Sequence, residues 1–138
     1  MAGNEEAMQR GRETRMKLMG EEVAGDMAAK VYDDPMMRKF GDYAIEAVFD
    51  GLWNRPGLDH KTRALICCIS DTATGRWPDL AIHLQMARRL GWTEDELSEA
   101  ILHLAGYVGL PLVREGMITA RETFEKMREA EGLSLIHI

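Results

Sequence analysis

The chain has 138 residues, of which 46% are hydrophobic and 29% charged, with a formal net charge of −6. That size and balance fit one globular domain around one core, and the acidic excess argues against a general nucleic-acid or anionic-membrane surface. No apolar run approaches the roughly 20 residues of a membrane span, and an acidic start with Glu5 and Glu6 is unlike a secretory signal, so a cytoplasmic protein is expected.

Residues 4–19 are charged and Met-rich, with Met8, Met16 and Met19 loosely periodic. They read as a first helix that Gly20 stops, and its methionines read as core or interface packing rather than a metal site. Glu22 to Tyr32 predicts a short second helix, weakened by Gly25. Asp34-Pro35 is a helix start, with Asp as N-cap and Pro at the first helical position. The third helix is expected to run to about Phe49, with Phe40, Tyr43, Ala44, Ala47 and Val48 on its buried face.

The loop Trp53-Asn54-Arg55-Pro56-Gly57 follows, and Asp59 is placed to cap a fourth helix from Lys61 to about Thr74. From Ala64 to Ile69 that helix is apolar on nearly every side, which predicts a central, fully buried element. Gly75 ends it. Pro78 restarts a fifth helix with Leu80, His83, Leu84 and Ala87 on one face, and Gly91 ends that one. Thr93 and Glu96 form a capping box for a sixth helix burying Leu97, Ala100, Ile101, Leu104 and Val108. Gly109-Leu110-Pro111 breaks it, and a seventh helix carries Val113, Met117, Ala120, Phe124 and Met127. No segment alternates with period two for long enough to make a strand. The expectation is an all-α, single-domain bundle of six or seven helices over residues 5–131. Residues 132–138 depart from the pattern and read as a tail foreign to the fold, so His137 is given no function.

The adjacent Cys67 and Cys68 cannot bridge within a helix, because neighbouring side chains point about 100° apart. They read as small buried hydrophobes, with a reactive thiol as the alternative. Neither a metal-ligand spacing nor a Cys-x-x-Cys pair is present.

Taken together, Trp53-x-Arg55-Pro56-Gly57-Leu58, Arg63, Gly75-Arg76, Leu80-x-x-His83, Gly91-x-Thr93-x-x-Glu96-Leu97 and Tyr107-x-Gly109-x-Pro111 resemble the carboxymuconolactone decarboxylase family. The resemblance covers residues 5–130. It implies an alkylhydroperoxidase D-like helical fold, a homo-oligomer (trimer or hexamer) with sites near subunit contacts, and a small anionic lactone as substrate. No cofactor and no metal are implied, and neither nucleic acid nor membrane is an expected partner. The peroxidase branch of that superfamily carries Cys-x-x-Cys-x-x-x-His. Placing its histidine on His83 puts Arg76 and Asp79 at the two cysteine positions, so dithiol peroxide reduction is not expected. The decarboxylase branch has an acidic residue four positions before its histidine, and Asp79 matches.

The implied reaction converts 4-carboxymuconolactone to 3-oxoadipate enol-lactone and CO2, in aromatic-acid breakdown. Its chemistry needs an anion-binding group, a stabilised oxyanion and a proton returned to carbon. Arg55 suits bidentate acid binding. His83 is the candidate proton donor, and Asp79, one turn earlier, would orient or charge it. Trp53, Arg76, Tyr107 and His103 are candidate substrate contacts. Each has a plainer reading: His83 as a core histidine, Arg55 as a clamp on a helix end, Trp53 as core or subunit contact, and the Glu99-His103-Tyr107 row as internal structure. One departure stands out. The decarboxylases carry an acidic residue two positions before the loop tryptophan, where this chain has Gly51. Either Asp50 reaches in its place or the substrate differs, so a related enzyme on another small acid, or a non-catalytic helical oligomer, stays open.

Overall fold

A computed structural model describes residues 2–136, with side chains over residues 4–132. Among the described residues the chain is all-α, with seven α-helices and no strand. No helix there is long and apolar enough to cross a membrane. The chain divides into two compact units, one up to His60 and one from Lys61 onward.

The first unit holds α1 (Ala2–Met19), α2 (Glu21–Lys30) and α3 (Pro35–Tyr43), followed by a π-helical segment, Ala44–Asp50. Gly20, at φ 85°, makes the break between α1 and α2. Asp34 caps α3 as expected, its carboxylate accepting from the backbone N–H of Met36 and Met37 at 3.0 and 3.1 Å. The expected third helix is different beyond that point. α3 stops at Tyr43, and the next turns bond over five residues, Gly51 N–H to the Glu46 carbonyl and Trp53 N–H to the Val48 carbonyl. Each such turn holds an extra residue, so the 3.6-residue stripe does not survive it. Phe40 and Tyr43, expected inside, are 57% and 72% exposed, while Gly41 and Ile45 are buried instead. Phe40 stacks on Tyr32 with ring centroids 6.0 Å apart.

α1 buries Gly11, Thr14, Leu18 and Met19; of the expected methionine stripe, Met16 is exposed. It packs closely on the π segment. A Cβ at Gly11 would meet the Ile45 carbonyl oxygen and lie 2.7 Å from Ile45 Cγ2.

The second unit holds α4 from Lys61 onward (the helix is His60–Thr74), α5 (Trp77–Arg89), α6 (Glu94–His103), a 3₁₀ turn Leu104–Gly106, and α7 (Leu110–Ile136). α4 is not buried all round as expected. Ala64, Cys68, Asp71 and Thr72 are buried, while Ile66 is 51% exposed. α4 is therefore two-sided, with its buried face at i, i+4, i+7 and i+8. Gly116 of α7 lets that helix approach: a Cβ there would lie 2.9 Å from Thr72 Cγ2 and 3.2 Å from Ile101 Cγ2. Leu80, Leu84 and Ala87 of α5, Leu97 and Ile101 of α6, and Val113, Ala120 and Phe124 of α7 complete the core. Ala100, Leu104 and Val108, expected with them, are not fully buried; beyond His103, where α6 ends, the tighter 3₁₀ turn changes the spacing for the last two. Thr93 and Glu96 make the expected capping box, at 2.9 and 3.0 Å.

The helical backbone of α7 passes residue 132 and reaches Ile136. The side chains of 133–138, and residues 137 and 138 altogether, lie outside the described residues, and with them the expectation about the tail and His137.

Two glycines in the first unit should respond oppositely to alanine. Gly25 is exposed inside α2, and a Cβ there would have nothing within 4 Å, so Gly25→Ala should stabilise by about 0.5–1 kcal/mol. Gly11→Ala drives a methyl into backbone and should destabilise by about 1–3 kcal/mol. Urea denaturation of the two variants, followed by circular dichroism, measures both signs.

Candidate active site

The site is set by the hairpin of α4 and α5. Gly75, at φ 71°, follows the last residue of α4. Its N–H reaches the Thr72 carbonyl at 3.3 Å, and the next N–H, of Arg76, reaches the Asp71 carbonyl at 2.9 Å. This is a Schellman stop, which only a residue tolerant of positive φ closes without strain. Trp77 and Pro78 then begin α5, where proline's missing N–H is no loss. A second tie fixes the start of α4. Trp92 Nε1–H donates to the Lys61 carbonyl at 2.7 Å, and Lys61 Nζ sits 4.5 Å above the Trp92 ring.

With both ends fixed, the inner face of α4 meets α5 at a polar contact. His83 Nδ1 lies 2.5 Å from Asp71 Oδ2, and the two side chains are 24% and 8% exposed. Among the described residues the buried side-chain nitrogen or oxygen lacking a partner is Arg15 Nε. His83 Nε2 is thus no buried orphan, and the side chain stays partly exposed. A histidine so held presents a proton-transfer group at the edge of the core.

Asp79, the expected partner of His83, does not meet it. It is exposed on the first turn of α5, and the carboxylate at the imidazole is that of Asp71. A residue four positions earlier on the same helix points along that helix's surface, whereas Asp71 faces α5 directly from the neighbouring helix. The sequence did carry a signal for it. Asp71 continues the buried period of Ala64 and Cys68, and an acid on that stripe requires a donor.

Arg76 is exposed at the start of α5. His103 and Tyr107 are also exposed, their rings 5.3 Å apart. Trp53 and Arg55 belong to the first unit. Trp53 is buried there, edge-on to His60 at 5.8 Å, which is the packing alternative of its two readings. Arg55 is exposed on the loop. Asp50, the possible substitute for an acid at position 51, is held within that unit: Arg10 donates to both of its oxygens at 2.9 and 3.1 Å, and Asn54 donates at 3.3 Å. The Arg10 guanidinium keeps the Asp50 carboxyl below the usual carboxylate range. At Gly51 a Cβ would lie 2.6 Å from the Ala47 carbonyl oxygen, so the π-helical turn itself crowds out a side chain.

The cysteines take the plainer of their two readings. Cys68 is buried and its thiol is pushed up by burial and by the negative charge of Asp71. Cys67 is half-buried, and the same two causes push it up to about 11. At pH 8 a thiol with that value is about 0.1% thiolate, against roughly a quarter for an ordinary cysteine. Iodoacetamide should therefore alkylate Cys67 on the order of 100-fold more slowly than free cysteine at pH 8, read by mass spectrometry. Labelling at the free-cysteine rate would overturn this.

Comparison with known proteins adds to this geometry. The model of the carboxymuconolactone decarboxylase family matches residues 39–122. The chain is 32% identical over 124 residues to 4-carboxymuconolactone decarboxylase of Acinetobacter baylyi, covering 90% of this chain and 91% of that one. It is 36% identical over 93 residues to nitrosuccinic acid decarboxylase of Metarhizium robertsii, covering 67% and 65% respectively. An uncharacterised 15.0 kDa protein of Paracoccus denitrificans is 30% identical over 87 residues, covering 62% and 65%. The match spans the α4–α5 hairpin and its histidine, and the chain belongs to the carboxymuconolactone decarboxylase family.

Proposed function

We propose that this protein is a cofactor-free decarboxylase of a small carboxylic acid. The observation that carries this reading is the half-buried His83 held by a buried carboxylate, in a family member whose named relatives are decarboxylases. In such a reaction the bond from carbon to the carboxylate breaks. The electron pair moves onto a conjugated oxygen, CO2 leaves, and a proton is returned to carbon. The substrate's own lactone or similar group takes up the charge, so the protein has to bind the acid and supply the proton. His83 supplies the proton, and Arg55 is the proposed acid-binding residue, acting through its planar fork.

Carboxymuconolactone is the first substrate to test. The binding of Asp50 by Arg10 and the crowding at Gly51 favour a second reading, another small acid with an adjacent electron-withdrawing group, since no carboxylate takes the expected acid's place there. The nitro group of nitrosuccinic acid supplies the same electron sink as a lactone carbonyl. Incubation with each acid, following CO2 release and ultraviolet absorbance, separates the two. On the acid that is turned over, His83→Gln should lower kcat by roughly 100-fold or more, the usual scale of acid–base catalysis, with a smaller change in KM. Arg55→Lys should mainly raise KM. A folded His83→Gln as active as wild type would overturn the role of His83.

The protein is proposed to act as a homo-oligomer. Leu102, Tyr107 and Leu110 in the second unit and Met36, Phe40 and Tyr43 in the first are large apolar side chains left exposed by the single chain. Light scattering at micromolar concentration should give a mass well above 15.6 kDa; a stable monomer would count against the assembly.

A further inference from the structure

Asp71 is a buried acid on a helix whose other inner residues are Ala64, Cys68 and Thr72, and Thr72 Oγ1–H is committed to the Cys68 carbonyl at 2.9 Å. A carboxylate removed from water needs a donor, and its oxygens can only accept. The donor facing Asp71 is the imidazole of His83, at Nδ1. A neutral imidazole carries one proton, on one nitrogen or the other. Placing it on Nε2 would set the Nδ1 lone pair against the carboxylate oxygen at 2.5 Å, so Nδ1 keeps its proton in both the neutral and the charged ring.

We infer that Asp71 is the positioning residue of the reaction: it holds Nδ1–H of His83 and so makes Nε2 the atom that carries the transferred proton. The role rests on the decarboxylase reading. As CO2 leaves, the electron pair spreads onto the conjugated oxygen; the Nε2–H bond of the imidazolium then breaks, a C–H bond forms at a carbon of that conjugated anion (for the enol-lactone, the carbon next to the lactone carbonyl), and the ring becomes neutral with Nδ1–H still on Asp71. Water returns one proton to Nε2. The sum is a carboxylate plus a proton giving CO2 plus a C–H bond, with no oxidant or reductant required. Rotation of the imidazole would aim its carbon edge at the substrate, and Asp71 prevents it.

The test is nitrogen NMR on protein labelled at histidine, without substrate, at about pH 9, above the ordinary range of histidine titration. His83→Gln assigns the resonances. Wild-type His83 should show a protonated Nδ1 and a bare Nε2. Asp71→Asn should lose that preference, because an amide can donate to Nδ1 as well as accept from it. On an acid that the wild type decarboxylates, Asp71→Asn should lower kcat by about tenfold or more while KM moves less than about threefold. A wild-type His83 protonated at Nε2, or a folded Asp71→Asn with unchanged kcat, overturns the assignment. The wild-type spectrum decides the tautomer even if Asp71→Asn does not fold. Failure to find any acid that is turned over would sink the decarboxylase reading, while the tautomer measured by NMR would still stand.

Discussion

A carboxylate out of water must be met by a donor, and in this protein that requirement fixes how α4 and α5 face one another. Asp71 is 8% exposed at its side chain, and His83 is the group that meets it. Breaking such a pair leaves an uncompensated buried charge, which costs more than the pair's own attraction is worth. The features around the contact keep it in register. The Schellman stop at Gly75 sets where α4 ends relative to Asp71, Gly116 lets α7 close over Thr72 beside it, and the Trp92–Lys61 clasp fixes the far end of α4. A buried polar contact that must be met restricts the register in which that face can pack.

The same carboxylate bears on the cysteines. A negative charge beside Cys67 and Cys68 opposes thiolate formation, adding to the effect of burial. A thiol chemistry would require the reverse, a cation or a helix N-terminus that favours the anion. The carboxylate that meets His83 is thus unsuited to a nucleophilic sulfur on its own helix.

The first unit follows a different rule, close backbone approach rather than buried charge. Gly11 admits Ile45, and the π-helical segment turns the chain so that Asp50 meets Arg10 and Asn54. Asn54 in turn meets Thr14 of α1 at 3.1 Å. The residues that open the loop toward Arg55 are therefore tied back to α1. An acid at position 50 is used to hold this connection, and position 51 has no room for another side chain.

The sequence by itself determined much of this. The seven helices, the Asp34 cap, the Thr93–Glu96 capping box, the glycine stops and the family were legible, because each depends on residues within a turn or two of one another or on a fixed order of motifs. His83 as the candidate was legible too, from its place among Leu80, Leu84 and Ala87. Only the tertiary structure decided which acid meets it. Asp79 is near in sequence, but Asp71 is near in space, and a contact over twelve residues depends on how two helices rotate about their axes. The face of the third helix was decided the same way. Its apolar period predicted one face from Phe40 to Val48, but the regular helix ends at Tyr43 and already turns Gly41 inward, and the turns bonded over five residues that follow do not continue its period. Local bonding can be read from local residues; helix rotation is set by the sum of packing on every side.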